Sequence, residues 1–220
     1  MAEQFDNPLI ERVIRQGHLK HENGKLYIWG LPVLMTAVYV NLFLYKLIEH
    51  KVGKEITKTI FYSLGRFQAK YGTRILAERF GYKEKLQDFK KLLDQTLFNT
   101  SLLGFGNFKI KLFDFEKKLF VVAGASSIAE EFKKFFKNKE HIDHYLRGGL
   151  AGIFEELSRE KYFCLETKCI ANGDLACEFV LKPLDKFDKN DGLFKQQFCE
   201  EISDMREIGA NIEVYITPSK

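Results

Sequence analysis

Apolar positions along the chain fall into runs whose spacing changes from helical to alternating and back. Behind Asp6-Asn7-Pro8, a capping sequence with proline in the first turn, Leu9, Ile10, Val13 and Ile14 predict a short amphipathic helix to about Gly17. Asn23-Gly24 is a hairpin-type turn that leads into a short strand, Lys25 to Trp29, which Gly30-Leu31-Pro32 breaks. A long apolar helix is expected from Val33 to His50, with Gly53 at its end. Ile56, Ile60, Leu64, Phe67, Tyr71, Ile75 and Phe80 then step by three or four and predict a helix over residues 54–80, closed by Gly81. Leu86, Phe89, Leu92, Leu93 and Leu97 place another over residues 83–97, followed by a loop from Asn99 to Gly106.

Beyond that loop the period shortens. Phe108 to Phe113 alternates apolar and basic residues, as a strand with one wet face does, and Lys118 to Ala123 is a second strand. Ser126-Ser127 caps a helix to about Phe136, and a glycine-bearing helix runs from His141 to Leu157. Tyr162 to Leu181 reads as a hairpin turning at Asn172-Gly173-Asp174. Pro183 marks a boundary. Residues 184–192 are polar and charged, Phe194, Phe198 and Ile202 predict a helix over residues 193–208, and Ile212 to Ile216 is a candidate last strand. The expected class is α+β, with helices packed on a small antiparallel sheet. Its parts are an arm over residues 1–23, a domain over 24–183, and a linker with a helical tail over 184–220.

Composition narrows the function classes. The chain has 220 residues, 45% hydrophobic, with a net charge of +4 and lysines interspersed with acids. A substantial core is expected, and no concentrated basic face points to nucleic acid. The N-terminal residues are polar and acidic, unlike a secretory signal. Leu31 to Ile48 is apolar but contains Pro32, Asn41 and Lys46, which favours a buried helix over a membrane span. Cysteines without evident pairing fit a reducing, cytoplasmic setting. A phosphate-binding loop, a Gly-x-Ser-x-Gly elbow and a two-histidine metal motif are all missing from the sequence, so an enzyme is not the expectation.

Three of the four cysteines lie in the late hairpin. Cys164 and Glu166 share a strand face, and the turn can bring Glu166, Cys169 and Cys177 to one pole. Thiolates with a carboxylate suit zinc, and three such ligands require a fourth from elsewhere. Cysteines of this kind also serve as small buried hydrophobes or form a disulfide. Cys199, far away in the tail, is read as structural.

Glu166-x-x-Cys169 followed by Cys177, with Ala171 and Gly173 between the cysteines and Phe179 after, resembles the end of a vinyl-4-reductase domain. This is the small-molecule-binding module of archaeal hydrocarbon-binding proteins and the sensor domain of phenol- and xylene-responsive regulators. Gly148-Gly149-Leu150-Ala151-Gly152 is similar to the family's small-residue helix, and residues 24–30 with the two following helices resemble the regulators' N-terminal segment. The resemblance implies a structural Zn2+ on Glu166, Cys169, Cys177 and a residue five before Gly148. That position is Asp143 here, where metal-binding members have cysteine; His144 and Cys164 are the alternatives. It also implies a homodimer, ligand sensing without an effector domain, and a fold shared with vesicle-tethering subunits, so an assembly scaffold is a rival reading.

An apolar cavity between helices and sheet is expected to hold a small apolar, hydrocarbon-like or lipid-like ligand. Candidate lining residues are Phe67, Tyr71, Phe105, Phe120, Tyr145, Gly148 and Gly152, with Phe61, Phe108 and Ala151 as further candidates. Gly65 and Gly72 lie on nearly one face of their helix, either for close helix packing or for room beside a ligand. The regulators' phenol-holding His and Trp have no counterpart between Leu102 and Ala129, which disfavours phenol itself.

Overall fold

The computed structural model describes residue 15 and residues 17–28, 30–82 and 86–198. The expected helix before Gly17, Trp29, Cys199, the tail beyond residue 198 and the strand at 212–216 lie outside these. At Asn23-Gly24 both residues take positive φ, 51° and 75°, the combination a tight two-residue hairpin requires. The turn joins β1 (Leu19–Glu22) to β2 (Lys25–Ile28). Gly30 then turns the chain again, so Leu31–Val33 pairs with β2 as β3. The helix expected to begin at Val33 therefore starts later, as α1 (Val38–Val52). Pro32 is compatible with this strand because β3 is an edge.

Gly53, with φ of 87°, separates α1 from α2 (Lys54–Phe80), and Gly81 in the left-handed region ends α2. α3 (Leu86–Leu102) runs through the expected loop at residues 99–102. Thr96 and Thr100 send their hydroxyls to the carbonyls of Leu92 and Thr96, so these polar residues satisfy themselves inside the helix. β4 (Gly106–Asp114) and β5 (Leu119–Ser126) form a hairpin, and Ser126 caps α4 (Ser127–Phe135) through Ala129 N–H. α5 (His144–Ser158) follows, then β6 (Tyr162–Lys168) and β7 (Cys177–Pro183). The larger sheet has the order β4-β5-β7-β6, antiparallel throughout. This is the α+β arrangement expected from the pattern.

The most extensive contact between elements joins α2 to α5. Glycine permits it: a Cβ on Gly148 would collide with the Tyr62 carbonyl, one on Gly152 with that of Arg66, and one on Gly65 with that of Tyr145. Around this pair Phe120 stacks among Phe89, Phe113, Phe154 and Tyr162, with ring centroids 4.6–6.1 Å away. The residues after Pro183 pack inward as well. Phe187 and Phe194 are buried against Phe163, and α6 (Gly192–Gln197) rests on β6. Phe198 is extended, so the helix expected over 193–208 stops at Gln197. Among the described residues, no helix is long and apolar enough to cross a membrane.

Candidate functional site

Four side chains from three neighbouring pieces of chain meet at the N-terminal end of α5. β6 delivers Glu166 inward, and a bulge between Glu166 and Lys168 bends the strand so that Cys169 follows into the same space. The connection then makes one 3-10 turn over Ile170–Asn172, closed by Asn172 and Asp174 N–H groups donating to the Cys169 carbonyl. Gly173, at φ 109°, lets the chain reverse to Cys177, the first residue of β7. Asp174 holds the knuckle by accepting from Cys169 N–H at 2.9 Å. Ile170 N–H points at Cys177 Sγ, 3.4 Å away. Asp143, the residue before α5, makes no cap bond with its side chain, which leaves its carboxylate for the cluster.

Asp143, Glu166, Cys169 and Cys177 are all buried, and one ligand atom from each lies within 4.8 Å of every other. A tetrahedral ion with ligand distances of about 2.0–2.3 Å spaces its ligand atoms roughly 3.3–3.8 Å apart, so modest rotamer shifts would close the set. Both Glu166 oxygens and Asp143 Oδ2 meet no hydrogen-bond partner among the described residues. Asp143 Oδ1 accepts from the Ser126 hydroxyl at 2.7 Å. Burial pushes the Asp143 carboxyl up to about 6, against the effect of the Ser126 bond. Burial, and then the neighbouring Asp143 charge, hold Glu166 well above the ordinary carboxylate range. The hydrogen bond to Cys177, and then burial, raise the Cys169 thiol. Two carboxyls and two thiols without counter-charge are a costly cluster, and a divalent cation reverses each of those penalties.

The alternatives for the fourth ligand fall elsewhere. His144 turns away: its Nδ1 lies 2.9 Å from the Arg147 guanidinium, and burial drives its pKa well down. Cys164 shares a face with Glu166, but two residues of strand carry it about 6.6 Å along, outside the group.

Residue-level reading missed the buried Arg147. It donates to Cys164 O at 3.0 Å and Gln197 O at 2.8 Å, beneath the rings of Tyr62 and Phe163. Gln197 in turn exchanges two bonds with the backbone of Glu166, accepting from its N–H at 2.9 Å and donating to its carbonyl at 2.7 Å. A charged residue beside Gly148 in an otherwise apolar helix was the available signal.

A cavity of about 500 Å³ opens between α2, α3 and α5, with β2–β3 over it and Phe108 and Phe179 of the larger sheet beneath. Phe67, Tyr71, Phe105, Phe108 and Tyr145 line it, as expected from sequence. Tyr145 stacks on Phe105 and donates its hydroxyl to Gln68. Four candidates are corrected. Phe120 is sealed in the aromatic cluster of the core; Gly148 and Gly152 serve the α2 contact; Phe61 packs edge-on to Tyr45. Ala151 is likewise absent from the walls. The two α2 glycines divide the roles set out for them: Gly65 admits α5, while Gly72 faces open space on the cavity wall. Leu31, Val33, Thr73 and Asn99 are lining residues the pattern did not single out.

No curated protein sequence matches the chain significantly. Among solved structures, the phenol-responsive sensory domain of the transcription activator PoxR, solved with phenol, superposes with a TM-score of 0.69 at 14% identity, covering 87% of this chain and 96% of that one. A trafficking protein particle complex subunit 3 from Naegleria fowleri, covalently bound to palmitic acid, gives 0.51 at 11% identity over 66% and 91%. Residues 127–183, which contain all four members of the cluster, match the family model of the vinyl-4-reductase domain. The chain thus carries a vinyl-4-reductase domain, set within the fold of the PoxR sensory domain.

Proposed function

We propose that this protein is a binding or sensor module for a small apolar ligand, hydrocarbon-like or lipid-like, braced by a structural zinc ion and working as a homodimer. The observation that carries the reading is the cavity: about 500 Å³, walled by aromatic and aliphatic side chains, with no Asp, Glu, Lys, Arg or His among its lining residues. The size and chemistry suit a ligand, and the PoxR domain of the same fold was solved with phenol. Purified protein should yield a small apolar molecule on organic-solvent extraction, identified by mass spectrometry. Alternatively, emptied protein should take up propylbenzene in a calorimetric titration; failure of both sinks the reading.

Asp143, Glu166, Cys169 and Cys177 would hold the ion, and four protein ligands leave no open position for water or substrate. The ion would supply a cross-link and a counter-charge. Cys169→Ser and Cys177→Ser should each lose the metal and lower the melting temperature by about 5 °C or more, since ligation contributes folding free energy. Elemental analysis with thermal melts checks this, and full metal content in either variant contradicts it. Three described cysteines are free and buried, which supports a reducing compartment such as the cytoplasm.

Dimerisation is supported by α1, where Tyr39, Val40, Phe43, Leu44 and Leu47 are all exposed, with Phe135 of α4 beside Tyr39 and Phe43. Native mass spectrometry should show twice the chain mass. An assembly scaffold is the second reading, favoured by the shared fold of the palmitate-bound trafficking subunit. A scaffold would retain its apolar molecule through extended dialysis, whereas a sensor would exchange it. No cysteine lines this cavity, so a thioester to its wall is not part of either reading.

A further inference from the structure

Threonines in the helices treat their hydroxyls alike, with one exception. Thr57, Thr59, Thr96 and Thr100 each donate to the carbonyl four residues back, at 2.7–3.2 Å. Thr73, in the interior of α2, is 0% exposed and lines the cavity, yet its Oγ1 meets no hydrogen-bond partner among the described residues. A buried hydroxyl left unpaired is costly, and groups of this kind in a cavity wall are satisfied by what the cavity holds. Gly72, next in sequence and also on the wall, keeps the neighbouring space clear of side chain. The other polar groups of the wall are engaged: Gln68 accepts from Tyr145, and Thr96 and Thr100 donate to their own helix.

We propose that Thr73 is the polar anchor of the cavity, and that the occupant is an uncharged molecule with an apolar body and one hydrogen-bonding group, of the alcohol or ketone class. The proposal rests on the cavity being the ligand site and specifies what that site selects. A hydroxyl both donates and accepts, so it pairs with an alcohol oxygen or a carbonyl. An ionised head does not fit, because no charged side chain lines the cavity and burial of an unpaired ion is strongly disfavoured. Long-chain carboxylates and amines are thereby excluded in their ionised forms, while their neutral analogues of equal length are admitted.

The test uses the full chain, emptied of any co-purified molecule, titrated calorimetrically at pH 8 with 1-octanol, 2-octanone, octanoate and propylbenzene. The alcohol and the ketone are expected to bind at least tenfold more tightly than octanoate. In Thr73→Val, whose side chain has nearly the same shape, the ratio of 1-octanol affinity to propylbenzene affinity should fall about five- to tenfold. Thr73→Ser, which keeps the hydroxyl, should restore the ratio. Octanoate binding as tightly as 1-octanol overturns the proposal whether or not either variant folds. So does an unchanged ratio in Thr73→Val while propylbenzene is still bound. Failure of all four probes, propylbenzene included, instead brings down the cavity as a ligand site, and this inference with it.

Discussion

At the scale of single residues, glycine does two opposite jobs on the same pair of helices. Gly148 has the Tyr62 carbonyl against the place a Cβ would occupy, and both are backbone in packed helices that have little room to give. Gly148→Ala should therefore destabilise the protein by about 1–3 kcal/mol through overpacking, despite the better helix propensity of alanine. Gly72→Ala should do the reverse. Nothing lies within 4 Å of its Cβ position, so the propensity gain of roughly 0.5–1 kcal/mol is unopposed, and the new methyl narrows the cavity. Urea unfolding of both variants checks the pair: equal shifts of the same sign would mean that α2 and α5 do not approach through Gly148. Small residues were misread at Gly148 and Gly152 for a physical reason. Absence of a side chain leaves either a hollow or a place for a backbone to enter, and only the partner helix decides which.

At the scale of elements, the junction of α1 and α2 is tied to the loop before α5 by charge. Glu140 is buried and receives Lys46 at 2.5 Å and Lys54 at 2.6 Å, on opposite oxygens. Burial works to raise its pKa, but the two lysines outweigh it and hold the carboxyl below its ordinary value. A depressed carboxylate pKa contributes stability that is present above the unfolded value, near 4.3, and lost as pH falls through the folded value. Glu140→Gln should cost about 1–2 kcal/mol at pH 7, discounted for the partial exposure of Lys54, and the gap from wild type should close below about pH 4. Stability curves of the two proteins at pH 7 and pH 3.5 decide it, and a gap of equal size at both would refute the pairing. Elements of this kind were legible in sequence wherever a local signal bounded them. Asn23-Gly24, Gly53, Gly81 and Ser126 mark true ends, and the late hairpin with Glu166, Cys169 and Cys177 follows from alternation and a turn. β3 was not legible, because three residues containing proline carry no period and pair only by virtue of β2. Asp143 was reachable only through family resemblance, since it sits a helix away from the hairpin. The docking of α6 was hidden too, because Gln197 acts on the backbone of Glu166, whose position no pattern in the tail encodes.

At the scale of the molecule, the cluster and the cavity share two elements, and this predicts that they are thermodynamically linked. α5 begins at Asp143 and within three turns presents Tyr145, Leu146, Gly149, Leu150 and Ile153 to the cavity. β7 begins at Cys177 and two residues later presents Phe179 to its floor. A divalent ion holding Asp143 to Cys177 would therefore set the distance between one wall and the floor, while the carboxylates it neutralises lie outside the cavity. Removing the ion by chelation should free the start of α5 and weaken 1-octanol binding by roughly five- to a hundredfold, the usual range of coupling between two sites. Linkage demands the converse by the same factor, so saturating 1-octanol should raise zinc affinity equally. Zinc competition against a chromophoric chelator, with and without the alcohol, measures that second leg independently of the first. Equal zinc affinity in both conditions would show that the cluster braces the fold without shaping the cavity. A matched change on both legs would make metal content part of how this chain tunes its response to ligand.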